Sequence, residues 1–172
     1  MKDGRVQVYT GDGKGKTTAA IGLAVRAAGH GLRVYVGQFM KGQAYGEIEA
    51  LRDLPLVEIE QYGDPRCIRR EEVTPEHVAR AREGLARARA KMLGGEVDVL
   101  VLDEINVSLW FGLLELADVL ALLDERPPGV ELVLTGRRAP AELVERADLV
   151  TEMREVKHYY ARGITARKGI EC

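Results

Sequence analysis

Cysteine is nearly absent from this sequence: Cys67 and Cys172 are the only two in 172 residues. Two thiols so far apart suggest neither a disulfide framework nor a zinc site, and reduced thiols in a cytoplasm are the expectation. No apolar run approaches the roughly 20 residues that span a bilayer. The opening Met1-Lys2-Asp3-Gly4 has nothing of a signal peptide, so no membrane association is expected. Charge of one sign is also missing, because 25 Lys and Arg stand against 27 Asp and Glu for a net charge of −2. That balance gives no global pull toward nucleic acid. No repeat and no low-complexity linker divides the chain, so 1–172 reads as a single domain of ordinary size. Hydrophobic residues at 46% and charged residues at 30% fit a globular protein with a real core.

One stretch organises the rest: Tyr9-Thr10-Gly11-Asp12-Gly13-Lys14-Gly15-Lys16-Thr17-Thr18. It follows a short strand-like run and precedes an Ala-rich helical run. Glycines at alternate positions let the backbone turn tightly and point successive N–H groups into one concavity. Lys16 adds a positive charge, the Thr17 hydroxyl can hold a magnesium ion, and the helix N-terminus adds N–H donors. This is a polyphosphate site. It departs from the common G-x-x-x-x-G-K-[ST] pattern, since Thr10 stands where the first glycine belongs. A β-branched residue does not comfortably take φ > 0, so the loop must begin differently.

Periodicity and turn signals lay out the remaining elements. Strands are expected at 5–9, 33–36, 56–60, 97–104, 130–135 and 149–153. Helices are expected at 16–29, 47–52, 75–93, 113–124 and 140–146. Thr74-Pro75 opens the long helix as N-cap and first helical residue. On that helix Val78, Ala81, Leu85, Ala88 and Met92 share one face, while Arg80, Arg82, Arg87, Arg89 and Lys91 read as a solvated face. The span 61–73 crowds turn formers and charges and reads as a functional loop. Alternating strands and helices predict an α/β fold: a P-loop, RecA-like domain with a mostly parallel sheet of roughly five or six strands flanked by helices. In such sheets ligands bind beyond the strand carboxyl ends. The phosphate loop, residues 38–41, Asp103-Glu104 and Gly136-Arg137 should therefore converge on one edge.

The apolar run closing in Asp103-Glu104 is a Walker-B-like signal, because magnesium on phosphate oxygens needs hard oxygen ligands. Thr17 and one of these two acids would supply them. The residues alone reach magnesium-dependent nucleoside triphosphate binding and no further. They leave open an ATP-hydrolysing motor, a nucleoside kinase and a non-catalytic nucleotide sensor.

A second line of argument comes from longer strings. Thr10-Gly11-Asp12-Gly13-Lys14-Gly15-Lys16-Thr17-Thr18-Ala19-Ala20 resembles the TG-x-GKGKTTAA loop of the P-loop type ATP:corrinoid adenosyltransferases. That family acts on cob(I)alamin or cob(I)yrinic acid a,c-diamide. Arg26, Gly29-His30-Gly31, Gln38-Phe39-Met40-Lys41-Gly42, Leu102-Asp103-Glu104, Thr135-Gly136-Arg137, Val156-Lys157-His158 and residues 163–170 match the family in the same order.

The resemblance implies that a corrinoid cobalt(I) attacks the 5′-carbon of ATP and expels triphosphate, in cobalamin biosynthesis or salvage. It implies ATP, Mg2+ and a corrinoid as ligands, an electron donor for cobalt reduction, a homodimer and a cytoplasmic location. Carried over residue by residue, triphosphate contacts fall to Gly11, Asp12, Gly13, Lys14, Gly15, Lys16, Thr17 and Thr18. Arg26 is a further phosphate contact, and Lys157 and His158 lie near the nucleotide. Lys16, Thr17 and Glu104 are the catalytic set, with Thr17 and Glu104 the magnesium pair. One departure stands out. Where well-known members carry a Phe-x-Trp pair after the third strand, this chain reads Tyr62-Gly63-Asp64-Pro65-Arg66-Cys67, leaving Tyr62 as the aromatic equivalent. The sole tryptophan, Trp110, is expected in the core.

Overall fold

Short β-branched and leucine-rich runs separated by amphipathic helices leave the chain one economical solution, a sheet covered on both faces. The computed structural model describes residues 3–43 and 45–171; Met1, Lys2 and Cys172, which entered the sequence reading, lie outside them. The strands are β1 (Val6–Thr10), β2 (Val34–Gln38), β3 (Val57–Gln61), β4 (Val99–Asp103), β5 (Glu131–Thr135) and β6 (Leu149–Glu152). They form one sheet in the order β3-β2-β4-β5-β1-β6, and every pairing is parallel. The expected α/β architecture is present, with all strands parallel.

Alternation along each strand divides the core into two layers. Val34 and Val36 of β2 face the same side as Val99 and Val101 of β4. They meet Ala20, Ala24 and Ala27 of α1 (Lys16–Gly29) and Ile48 and Leu51 of α2 (Gly46–Arg52). The three alanines let α1 lie close to the sheet. Tyr35, Leu100, Leu102, Leu132 and Leu134 face the other way. There they pack on Ala81, Leu85, Ala88 and Met92 of α3 (Pro75–Leu93), with Val119 and Leu122 from the helix Leu116–Glu125 and Leu143 from Ala141–Arg146. The predicted apolar face of α3 is thus its buried one. Its cations lie mainly on the solvated face, as expected, where Arg80 pairs with Glu76, Arg87 with Glu60, Arg89 with Glu125 and Lys91 with Glu96.

Two details differ from the sequence reading. A six-residue helix, α4 (Ile105–Trp110), follows Asp103-Glu104 directly. The chain then turns through Gly112 at φ 73, so the next helix, α5 (Leu116–Glu125), starts later than residue 113. The helix Ala141–Arg146 is α6. Trp110 is not in the core; it ends α4 with 39% of its surface exposed.

Candidate active site

All six strands point their carboxyl ends at one edge, and the predicted segments meet there. Thr10 stays extended as the last residue of β1, and the turn begins at Gly11, φ 92. The β-branched residue is thereby spared the left-handed region, as its chemistry demands. Gly11 and Gly13 have a further reason to lack a side chain. A Cβ at either would lie 2.5 or 2.6 Å from the Met153 carbonyl oxygen. The Gly13 N–H instead donates to that oxygen at 2.6 Å, so the loop is sewn to the exit of β6. Gly15, φ 113, N-caps α1.

Lys16 opens α1 and is only 7% exposed. Its ammonium donates to Gly11 O at 2.8 Å and Gly13 O at 2.6 Å, curling back over the loop that it closes. Burial pulls its pKa down, and the charge of Glu104 works against that pull. The group is held over a ring of backbone carbonyls and N–H groups, which is where a triphosphate would exchange for the carbonyls.

Asp103, 1% exposed, is the hub of the strand ends. Its Oδ1 accepts from Thr17 Oγ1 at 2.9 Å and Thr135 Oγ1 at 2.6 Å. Its Oδ2 accepts from Gln38 Nε2 at 3.2 Å and Lys41 Nζ at 2.9 Å. Gln61 Nε2 then donates to Gln38 Oε1 at 3.1 Å. Gln61, Gln38, Asp103 and Thr135 close β3, β2, β4 and β5, so this polar row follows the order of the sheet. Register makes it possible, since Gln38 pairs with both Gln61 and Asp103. A carboxylate satisfied from four directions keeps its place with little freedom.

The non-glycine residues at positive φ cluster at the same edge. Met40 (φ 60), Glu104 (φ 61) and Arg138 (φ 58) are the ones found among the described residues, and they follow β2, β4 and β5. Left-handed backbone costs such residues about 1–2 kcal/mol each, and strain of this kind collects at functional sites. At Glu104 it turns the side chain into the cavity. Burial, then the neighbouring Asp103 charge, raises the Glu104 pKa.

A cavity of about 620 Å³ opens here. Its floor is Gly13 through Thr18, one wall carries Lys41, Glu104 and Arg137, and Gly169, Ile170 and Glu171 form another, with His158 beside them. A second depression of about 510 Å³ lies beside edge strand β3, between Ile48, Tyr62 and Arg87, and has no phosphate loop.

The structure therefore brings together Gly13, Lys14, Gly15, Lys16, Thr17, Thr18, Glu104 and His158. Gly11 is tied in through the Lys16 ammonium. Asp12, Arg26 and Lys157 are exposed and do not line the cavity; Arg26 lies in the last turn of α1. Lys14 is engaged elsewhere, donating to Glu171 Oε1 at 3.0 Å and Ile170 O at 3.1 Å. Thr17 bonds directly to Asp103 rather than Glu104.

Sequence reasoning missed Lys41 as a site residue and Glu171 as a partner of Lys14. The Gln38–Lys41 string marked the first, but nothing local shows that a tail some 150 residues on folds back. Tyr62 is also turned away from the cavity. Its ring lies where a Cβ on Gly84 of α3 would come within 2.6 Å, and its hydroxyl meets Tyr35 at 2.5 Å and bonds to Glu60.

The donor set suits magnesium: a hydroxyl from Thr17 and carboxylates from Asp103 and Glu104 are hard ligands in a phosphate-binding cavity, and one or two carboxylates plus phosphate oxygens are what this ion asks for. Three or more His, Cys, Asp or Glu grouped to hold a metal without phosphate are not found among the described residues.

Strand, glycine loop, Lys-Thr, helix and a buried acid at a strand end on a parallel sheet define a P-loop nucleotide-binding protein. The family model described as ATP:corrinoid adenosyltransferase BtuR/CobO/CobP matches residues 2–172. A corrinoid adenosyltransferase of Pseudomonas aeruginosa is 39% identical over 170 residues, covering 98% of this chain and 83% of the relative. One of Escherichia coli (strain K12) is 36% identical over 171 residues, covering 98% and 85%. The corrinoid adenosyltransferase CobA of Salmonella typhimurium is 35% identical over 171 residues with the same coverage. The chain belongs to the ATP:corrinoid adenosyltransferase family.

Proposed function

We propose that this chain transfers the 5′-deoxyadenosyl group of ATP to the cobalt(I) of a corrinoid and releases triphosphate. A cobalt–carbon bond forms at C5′, the C5′–O bond breaks, and its electron pair leaves on the triphosphate. Cobalt supplies the nucleophile, so the protein's task is to hold the 5′-carbon in reach and stabilise charge on the leaving group. The observation that carries this reading is the phosphate cradle itself, with Lys16, Lys41 and Arg137 set around one cavity. Three cations and a row of N–H groups aim at a leaving group. On the same wall as Lys41 and Arg137, Glu104 offers a hard carboxylate ligand suited to magnesium.

In this reading the Gly11–Thr18 loop holds triphosphate, with charge from Lys16 and from Lys14 once it exchanges Glu171 for phosphate. Thr17 and Glu104 hold magnesium, with Asp103 fixing Thr17. Bound magnesium would neutralise charge on the departing phosphates. Arg26, Asp12 and Lys157 are assigned by resemblance and would have to approach on nucleotide binding. We also propose that 1–172 is one domain, which the single sheet supports, and that the protein is a cytoplasmic homodimer fed by an electron donor that reduces cobalt. Among the described residues no helix is long and apolar enough to cross a membrane. Edge strand β6, with Leu149 and Val150 exposed, is a surface on which a second copy could pair.

The test uses an ATP analogue whose β–γ bridging oxygen is replaced, with magnesium and chemically reduced cobalamin. Adenosylcobalamin should form, because the β–γ bridge is not broken. A motor or kinase would be stopped by the same analogue. No adenosylcobalamin from it, together with ADP and phosphate from ATP in the absence of corrinoid, would overturn the reading.

A further inference from the structure

Two cations of the nucleotide cavity are held in different ways. Lys16 donates to backbone carbonyls of its own loop. Lys41 donates instead to side-chain oxygens, Asp103 Oδ2 at 2.9 Å and Thr17 Oγ1 at 3.1 Å. These are hard oxygens of the kind that a magnesium ion takes.

Lone pairs at this edge are already in use. An ionised carboxylate accepts at about four places. Asp103 fills them with Thr17 and Thr135 on Oδ1 and with Gln38 and Lys41 on Oδ2. The Thr17 hydroxyl gives its proton to Asp103 and receives Lys41. Of the two acids Glu104 remains, and one carboxylate without phosphate is a poor site for an ion that dehydrates reluctantly. Charge argues the same way. A divalent ion on Thr17 Oγ1 would lie within a few ångströms of the ammonium on that oxygen, where two cations repel strongly.

The ammonium of Lys41 can leave although its backbone cannot. The Phe39 N–H donates to the Asp103 carbonyl at 2.8 Å, and the Gly63 N–H to the Lys41 carbonyl at 2.9 Å. A Cβ on Gly63 would lie 2.1 Å from the Lys41 nitrogen, and one on Gly42 would lie 2.7 Å from the Asp64 carbonyl carbon. Asp64 is itself tied to His77 at 3.2 Å. The main chain at Lys41 is thus clamped between the segments after β2 and β3, while the side chain lines the cavity. Rotation about its flexible four-carbon stem carries the charge from Asp103 toward an anion seated on the Gly13–Thr18 floor.

We propose that Lys41 holds magnesium's place at Thr17 and Asp103 until a phosphate draws its ammonium away, so that the chain takes up the metal only together with a polyphosphate. The exchange gives the ammonium to phosphate and releases the Thr17 oxygen and the charge of Asp103 to the metal. Metal and phosphate then assist one another, by the same factor in either order. The proposal rests on the adenosyltransferase reading above, which gives Thr17 and Glu104 their part in holding magnesium.

Manganese(II), which shares the preference for oxygen ligands, serves as the probe, its free concentration read by electron paramagnetic resonance. Without phosphate the wild type should bind it weakly. Lys41→Met should bind it at least roughly tenfold more tightly, and Lys41→Arg, which keeps the charge, should not. Inorganic tripolyphosphate should tighten manganese binding to the wild type beyond its own chelation of the metal, and that gain should shrink in Lys41→Met. Lys41→Gln, which still donates to Asp103, takes the place of the methionine variant if circular dichroism shows that one misfolded. Should both misfold, the wild type decides: a gain from tripolyphosphate no larger than its own chelation overturns the proposal. Equal manganese affinity in the wild type and an uncharged variant overturns it too. Adenosylcobalamin formation by the wild type is scored separately. Transfer with equal manganese affinities sinks this proposal alone, whereas a tenfold gain with no transfer keeps the place-holder and sinks the reading beneath it.

Discussion

The ammonium of Lys41 stands between two oxygens that belong to different parts of the chain, 2.9 Å from Asp103 Oδ2 and 3.1 Å from Thr17 Oγ1. Thr17 in turn donates to Asp103 Oδ1, which closes a three-membered ring linking the phosphate loop to β4. Burial would lower the Lys41 pKa, but the charge and hydrogen bond of Asp103 outweigh it and hold the pKa raised. A cation is thus built in beside the hydroxyl that the sequence assigns to magnesium.

Removing that cation should be felt without any substrate. Lys41→Met leaves a buried carboxylate short of its charged partner and should destabilise the protein by about 3 kcal/mol in urea unfolding. Magnesium should recover more of this loss in the variant than it adds to the wild type. An unchanged midpoint would make the contact a peripheral one. The raised pKa gives a sign as well: the stabilisation is full below the ordinary lysine value and is lost as pH climbs through the raised one. Wild-type stability should therefore fall at strongly alkaline pH by an amount that Lys41→Met does not show.

Glu104 predicts a trade. Its folded pKa is raised, so ionising it costs the folded state more than the unfolded one. Stability from this group is complete below the ordinary glutamate value and declines as pH rises through the raised value. Glu104→Gln should be more stable than wild type at neutral pH by thermal melting, yet slower in adenosyl transfer and more demanding of magnesium. A variant that is both less stable and fully active contradicts the assignment.

Lys16→Ala should lower turnover at saturating ATP by roughly 10²–10³-fold, the usual worth of one preorganised donor on a developing charge. Wild-type turnover in that variant would remove Lys16 from the leaving-group site.

Gly13→Ala tests the stitching of the loop to β6. The added Cβ meets the Met153 carbonyl oxygen at 2.6 Å and the Arg154 carbonyl carbon at 2.8 Å, and these backbone atoms leave little room to relax. Destabilisation of about 1–3 kcal/mol and a raised KM for ATP should follow.

Glu171→Gln should act in the opposite sense. It weakens a competitor of phosphate for Lys14, so KM for ATP should fall by about two- to fivefold in low salt. No change in KM would mean that Lys14 does not reach the triphosphate.

Much of this was legible in the sequence because the signals are local. A glycine loop between a strand and an Ala-rich helix states its own geometry, and the Leu102-Asp103-Glu104 ending fixes where a buried strand meets solvent. Thr10 even announced that the loop would begin differently from common P-loops. What could not be read were relationships set by the sheet order. That Lys41 would reach Asp103 depends on β2 lying beside β4. Trp110 looked like core because an isolated tryptophan usually is; it ends α4 partly exposed, beneath the Arg138 guanidinium. The Arg126 side chain illustrates the same limit, since it donates to the Val130 carbonyl at 2.6 Å in a turn that composition marks only as a breaker.

The seam between Lys14 and Glu171 has a practical consequence for handling the protein. Residue 171 lies against the phosphate loop, whereas Gly4 donates to the Pro128 carbonyl at 2.7 Å, on the opposite side of the sheet where the strands begin. A bulky label attached at Glu171 would sit at the mouth of the nucleotide cavity and crowd it. The same label attached near Gly4 would sit where the strands begin, away from that cavity, and immobilisation there would leave ATP and corrinoid free to enter.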